Sequence, residues 1–182
     1  MYTLKIISAT DRPGSRALKV SNYLKSQYAE QGLDTEVISL ENYPWSDVIG
    51  GSYNSDLPAV KAFNEPIINA DGLLFVVPEY NGSFPGVLKV FIDYMPFPES
   101  LLHKPIAYVG EAAGAFGALR AVEQLQLILN YRNALNFPDR VFLQRVHNSF
   151  DEQEGPTEEA TKKLMRTQIE GFSEFIKINS GK

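Results

Sequence analysis

The chain has 182 residues, an apolar fraction of 44% and a formal net charge of −5. These values suit one domain with one sizeable core, and they argue against a protein that binds nucleic acid or an anionic membrane surface. The chain has no cysteine, which excludes disulfides and thiolate chemistry, and its two histidines, His103 and His147, are too few for a persuasive metal site.

The sequence shows neither the pattern of a signal peptide nor that of a membrane-spanning helix. Residues 1–10 lack the basic start and long apolar stretch of a signal peptide. No apolar run approaches the roughly 20 residues of a membrane span. We therefore expect a cytoplasmic protein in which residues 1–182 form one domain.

Strand and helix patterns alternate through the first half of the chain. Residues 3–9 predict a buried strand, and residues 15–31 a helix that Gly32 ends. A short strand over 35–40 is followed by a long loop over 41–57. The pattern continues with a helix over 58–70 that Pro66 kinks or stops, a strand over 72–77 and a helix over 85–94.

The same alternation continues to the end. We expect a strand over 104–110, a helix over 116–132 and a strand over 140–146. A closing helix over 157–178 would turn Leu164, Phe172 and Phe175 inward.

Five such units with nearly continuous apolar strands predict a parallel sheet that is covered on both faces. Right-handed crossovers favour an α/β three-layer sandwich with the strand order 2-1-3-4-5. The order then reverses between the first and third strands, and ligands bind at such a point in open sheets. Two loops, over 9–15 and 78–84, should therefore lie side by side.

The first of these loops is a candidate anion site. It contains Thr10, Arg12 and Ser15 and leads into a helix, whose first N–H groups can bind an anion. Arg16 is a second candidate cation. An ordinary turn in which Ser15 caps the helix fits the same residues equally well. Neither a dinucleotide-binding glycine pattern nor a P-loop is present.

The second loop suits a flat ring that forms hydrogen bonds. Backbone amides after Pro78, the ring of Tyr80 and the amide of Asn81 could all contact such a ligand. Glu79 is a candidate acid or base, although a structural acceptor is the more common role at a strand end. Ser83 lacks the G-x-S-x-G setting of a hydrolase nucleophile.

Three motifs carry a resemblance to a known family. They are Thr10-Asp11-Arg12-Pro13-Gly14-Ser15, the block from Pro78-Glu79-Tyr80-Asn81-Gly82 through Lys89 to Ile92-Asp93-Tyr94, and the glycine-rich turn over 114–120. Together and in this order, they resemble the NADPH-dependent FMN reductase family of flavodoxin-like flavoproteins. This family includes quinone, azo-dye and chromate reductases.

The resemblance implies an FMN-dependent NAD(P)H oxidoreductase. NADPH or NADH would reduce bound FMN, which would then reduce a small-molecule acceptor, with no catalytic side chain and no metal. It also implies a homodimer or homotetramer. The implied cofactor-binding residues are Thr10, Arg12, Ser15, Arg16 and Ala17 for the phosphate, Pro78, Glu79, Tyr80, Asn81 and Gly82 for the ring, and Ala113, Gly114 and Gly117 for its pyrimidine side.

The chain departs from the family pattern before the glycine-rich turn. Glu111-Ala112-Ala113 stands where serine, glycine or arginine is usual, and we expect Glu111 to face solvent. Two other functions stay open, the second of them because of this departure. One is an electron carrier that does not itself react with NAD(P)H, and the other is a regulatory protein that has kept the fold and lost the cofactor.

Overall fold

The computed structural model describes residues 1–51, 53 and 56–180. Its central sheet has five parallel strands in the order β2-β1-β3-β4-β5, which confirms the predicted topology. The strands are β1 (Thr3–Ser8), β2 (Asp34–Ser39), β3 (Gly72–Pro78), β4 (Pro105–Glu111) and β5 (Leu135–Leu143). The loops after β1 and β3 therefore flank the point at which the strand order reverses.

Helices cover both faces of this sheet. The long ones are α1 (Arg16–Glu30), α3 (Pro58–Ile68), α4 (Gly86–Asp93), α5 (Leu119–Tyr131) and α7 (Glu159–Asn179). The described residues also form two short helices, α2 (Trp45–Val48) and α6 (Val146–Ser149), and an antiparallel pair, β6 (Phe150–Asp151) and β7 (Gly155–Pro156), which were not predicted. Within the described ranges, no helix is both long and apolar enough to cross a membrane.

The sheet separates two buried apolar clusters. Successive side chains of a strand point to opposite faces, so Leu74 belongs to the cluster that contains Phe172 of α7, and Phe75 belongs to the cluster that contains Leu125 of α5. All of β3 is buried because helices cover both of its faces. This arrangement is the predicted three-layer α/β sandwich, and the fold class is confirmed.

The prediction for β5 was wrong at its start. We expected the strand to begin at Arg140, but it begins at Leu135 and runs through Pro138, a residue that is rare inside strands. The register with β4 shifts there, from Ile106 opposite Asn136 to Tyr108 opposite Arg140. This irregularity places the proline where the ladder does not need its missing N–H.

A buried glutamine of α7 repairs this irregularity. Gln168 is fully buried, and its amide Nε2 donates to the carbonyl oxygens of Tyr108 at 2.8 Å and Asp139 at 2.9 Å. A side chain thus satisfies backbone acceptors that the shifted ladder leaves unpaired.

Other corrections concern where helices begin and end and which of their side chains are buried. α5 begins at Leu119 rather than Phe116, because Ala118 has a left-handed backbone with φ of 68°. In α7, Phe172 is buried as predicted, but Leu164 is 59% exposed and Met165 takes the inward position. Pro66 lies within α3, which ends two residues later.

The predicted loop over 41–57 is partly helical. A 3₁₀ turn over Leu40–Asn42 precedes α2, and Tyr43 between them is buried. Trp45 fixes this segment by donating its indole N–H to the carbonyl of Leu40 at 2.9 Å. Positions 52, 54 and 55 of the predicted loop, and 181–182 of the predicted domain, lie outside the described residues.

Candidate functional site

A cleft of about 380 Å³ lies at the carboxyl ends of β1, β3 and β4. It brings together the two loops that the sequence placed at the reversal of strand order. Its lining includes seven of the predicted site residues: Arg12, Ser15, Arg16, Pro78, Glu79, Tyr80 and Ala113.

The start of α1 opens into this cleft. Ser15 caps the helix, since its Oγ accepts from the N–H of Leu18 at 3.1 Å. Among the described residues, the N–H groups of Arg16 and Ala17 have no backbone carbonyl as acceptor. Ser15 therefore acts as a cap, as one interpretation of the loop required. The N–H groups of Arg16 and Ala17 can thus face an anion, and the carboxylate of Glu111 already interacts with that of Ala17.

Thr10 joins the two loops instead of lining the cleft. Its side chain is fully buried, and its Oγ1 lies 2.9 Å from the hydroxyl of Tyr80. The same oxygen accepts from the N–H of Arg12 at 3.3 Å. Thr10 thus fixes the loop after β1 against the loop after β3.

The loop after β3 contains a tight two-residue turn. The N–H of Tyr80 donates to the carbonyl oxygen of Ser83 at 2.8 Å. The N–H of Ser83 in turn donates to the carbonyl oxygen of Tyr80 at 3.1 Å. Asn81 and Gly82 between them have positive φ values of 53° and 75°, as a type I′ turn requires. Asn81 and Gly82 therefore form the tip of the turn, and neither is among the residues that line this cleft.

This turn is attached to α5. The Oγ of Ser83 donates to the side-chain Oε1 of Gln124 at 2.6 Å, and the Gln124 amide donates to the carbonyl of Gly82 at 3.4 Å. The hydroxyl of Ser83 therefore has a structural partner, which agrees with its exclusion as a nucleophile.

The glycine-rich turn lies directly on the sheet. A Cβ atom on Gly110 of β4 would approach the carbonyl oxygen of Gly117 to 2.4 Å, so only glycine allows this contact. Gly117 has a φ of +57° and is packed against Phe142. Of the predicted residues in this turn, Ala113 reaches the cleft, whereas Gly114 and Gly117 shape the turn behind it.

Basic side chains surround the start of α1. Arg12 is exposed, and Arg16 and Lys19 both approach Glu152, at 3.6 Å and 2.5 Å. The Nε of Arg16 also donates to Nδ1 of His147 at 3.2 Å. His147 is thus an exposed residue that lines the cleft.

Lys19 and His147 carried signals that the sequence analysis did not use. Lys19 follows Ser15 by one helical turn, which places it near the open helix end. His147 follows β5 closely, and the carboxyl ends of parallel strands meet at one edge of the sheet.

Glu111 is buried, and the expectation that it faces solvent was wrong. Its residue is 6% exposed, and it is the last residue of β4. Ala107 and Val109 of the same strand face α1 and α7, so the alternation directs Glu111 to that side. Burial raises the pKa of Glu111 to about 7, against the opposing effects of Arg16, Arg12 and the N–H of Ala17.

Glu79 presents an unsatisfied acceptor. Its Oε2 atom is buried and has no hydrogen-bond partner among the described residues. Such orphaned oxygens are rare in folded proteins, and one that lines a cleft marks a place for a ligand donor.

Comparisons with known proteins agree with this geometry. The family described as NADPH-dependent FMN reductase matches residues 3–148. An NAD(P)H-dependent FMN reductase of Pseudomonas aeruginosa is 36% identical over 135 residues, which cover 69% of this chain and 72% of that protein. An NADPH azoreductase of a Bacillus species is 28% identical over 177 residues, which cover 96% of this chain and 93% of that protein.

A solved structure supports the fold. The flavoenzyme NAD(P)H:(acceptor) oxidoreductase FerB from Paracoccus denitrificans aligns with a TM-score of 0.81 and 23% identity, over 98% of this chain and 99% of its own. The family resemblance and the predicted class of activity, an FMN-dependent NAD(P)H oxidoreductase, are confirmed by the family and sequence matches. The chain belongs to the NADPH-dependent FMN reductase family.

Proposed function

We propose that the cleft binds FMN, that NADPH or NADH reduces it, and that a small molecule such as a quinone or an azo compound receives the electrons. The juxtaposition of an open helix end with the buried, unpaired oxygen of Glu79 carries this proposal. One part of the cleft suits a phosphate, and the other suits a ring with an N–H donor. Relatives named as an azoreductase and a quinone reductase support the choice of acceptor.

The residues of the cleft fit the two ends of FMN. Arg12, Arg16 and the N–H groups at the start of α1 would hold the phosphate, since charge-assisted hydrogen bonds are the strong ones. Pro78 and Glu79 would border the ring. Thr10 would act by holding the two loops together, because its hydroxyl is already bonded to Tyr80.

The chemistry of hydride acceptance and electron release would come from the bound flavin. The side chains of the chain have other tasks. The hydroxyls of Ser15, Ser83 and Thr10 all have structural partners, so none is free to act as a nucleophile. The cleft positions its ligand and sets the charge around it, which is the usual protein contribution in cofactor enzymes.

A direct test uses the purified protein with added FMN. We expect saturable FMN binding and anaerobic bleaching of the flavin spectrum by NADPH or NADH. Reduction by a partner reductase but not by either nucleotide would select the electron carrier. A protein that binds no FMN in calorimetry would contradict the proposal and select the regulatory alternative.

Replacing Arg12 with alanine tests the phosphate assignment. A hydrogen bond to a charged group contributes roughly 1.5–3 kcal/mol, so FMN should bind about tenfold or more weakly while riboflavin binding stays unchanged. Fluorescence titration with both flavins measures this. Lys163→Ala is the control, because Lys163 is exposed on α7 and does not line the cleft. Equal losses for FMN and riboflavin would contradict the assignment.

The proposal extends to assembly and location. Phe97, Leu127 and Tyr131 line one surface and are 60%, 71% and 77% exposed, which suits a contact in a homodimer or homotetramer. Sedimentation should show an oligomer, and Leu127→Glu should reduce it to the monomer.

The need for NAD(P)H supports a cytoplasmic location. One FMN-binding domain over residues 1–182 is part of the same proposal.

A further inference from the structure

The buried carboxylate of Glu111 is a feature of the cleft that FMN binding does not use. Glu111 ends β4, where it pairs with Pro78 of β3, and it is 6% exposed. It shares the cleft with Arg12 and Arg16. The wall of an anion site therefore already contains an anionic group.

Glu111 interacts with the groups that a phosphate would need. Arg16, Arg12 and the N–H of Ala17 all favour its ionised form. The same two guanidinium groups and the same N–H are assigned to the phosphate of FMN. Because ionised carboxylates and phosphates act as acceptors for the same donors, the two anions compete.

Other charged or titratable groups also surround this space. They are Lys19 on α1, Glu79 and Tyr80 at the end of β3, His147 on α6, and Glu152 after β6. Glu152 pairs with Lys19 and Arg16 from the exposed side. Arg16 and Arg12 are the cations that act on the Glu111 carboxylate.

The balance of charge at Glu111 is unfavourable to a second anion. Burial outweighs the two arginines and the Ala17 N–H, which leaves the pKa at about 7. A phosphate on the same arginines would add repulsion without exposing the carboxylate to water. The favoured bound state is then one in which Glu111 is protonated.

We propose, on the basis of the FMN site described above, that Glu111 sets the affinity of this cleft for the phosphate group of FMN. Its buried carboxylate lines the same cleft as Arg12 and Arg16 and, when ionised, competes with the phosphate for their charge and for the N–H of Ala17. FMN therefore binds together with uptake of one proton by Glu111. If Glu111 instead only held Arg12 and Arg16 in place, removing its charge would weaken FMN binding.

The test compares wild-type protein with Glu111→Gln. Affinities for FMN and riboflavin are measured at about pH 5.5 and about pH 8.5, on either side of the Glu111 pKa of about 7. At the lower pH the wild-type carboxyl is protonated, so the two proteins should bind FMN alike. At the higher pH the variant should bind FMN about tenfold or more tightly than wild type, because like charges that share one partly buried cleft repel strongly.

Riboflavin separates this effect from changes in the ring site. It lacks the phosphate, so wild type and variant should bind it equally at both pH values. The phosphate of FMN also changes its protonation between the two pH values. This change affects wild type and variant equally, so it does not alter the ratio of their affinities. Glu152→Gln is the matched control, since it removes an exposed carboxylate that pairs with Arg16 and Lys19 and should change FMN affinity little.

Three results would overturn the inference. FMN binding that is unchanged or weaker in Glu111→Gln at the higher pH would show that the carboxylate does not compete. An equal gain in Glu152→Gln would assign the effect to net charge. Failure of all these proteins to bind either flavin would instead remove the proposed FMN site, and this inference with it.

Discussion

Gly110→Ala is expected to destabilise the protein by about 3 kcal/mol, which is the upper part of the usual range for overpacking. The new Cβ would meet the carbonyl oxygen of Gly117 at 2.4 Å and the ring of Phe142 at 3.0 Å. A backbone oxygen cannot rotate away as a side chain can. The turn over 113–118 would have to leave the sheet, and the wall of the cleft at Ala113 would move with it.

Gly114→Ala is the matched control for this prediction. Gly114 belongs to the same turn, but a Cβ atom there meets nothing within 4 Å. Urea unfolding should give a lower midpoint with an unchanged slope for Gly110→Ala and nearly the wild-type curve for Gly114→Ala. Similar stabilities for the two variants would show that the turn can lift from the sheet at little cost.

Arg132→Met should also cost about 3 kcal/mol or more, because it removes the hydrogen bonds that a buried, charged guanidinium donates to the segment from Ile92 to Ser100. Arg132 is 7% exposed. Its guanidinium donates to the carbonyl of Pro96 at 2.6 Å, to Ser100 Oγ at 2.9 Å and, more weakly, to the carbonyls of Ile92 and Met95. Methionine keeps the apolar stem but none of these bonds.

The segment from Met95 to Ser100 should loosen in this variant. Hydrogen exchange should rise there, and the midpoint of urea unfolding should fall. Arg120→Met is the control, since Arg120 is exposed and its guanidinium lies over the exposed ring of Phe116, 5.0 Å from its centroid. A loss of stability in Arg120→Met as large as in Arg132→Met would mean that charge, rather than these hydrogen bonds, is responsible.

The order of the strands could be predicted because the pattern is repeated and local. Each apolar run, each following helix and the right-handed crossover rule constrain the same topology. That topology placed Arg12 and Tyr80 at the same end of the sheet, which the structure confirms. The contact between Thr10 and Tyr80 lay beyond sequence patterns, because it joins residues 70 positions apart.

Glu111 was wrongly expected to face solvent because the predicted strand ended one residue too early. The predicted strand ended at Gly110, which left Glu111 in a loop with no defined direction. The observed strand includes Glu111, and alternation then buries it against α1. At β5 the error was larger, because the strand continues through Pro138 and Gln168 of a distant helix supplies the missing hydrogen bonds.

The cleft is assembled from four segments that are far apart in the chain: 12–19, 78–80, 111–113 and 147. No short fragment contains more than one of them, so the cleft exists only in the folded protein. A ligand held there binds the native state and not the unfolded chain. By mass action, saturation at about 100 times the dissociation constant would add about 2.7 kcal/mol to the free energy of unfolding. The supply of flavin in the cell would then influence how long each copy of this protein survives proteolysis.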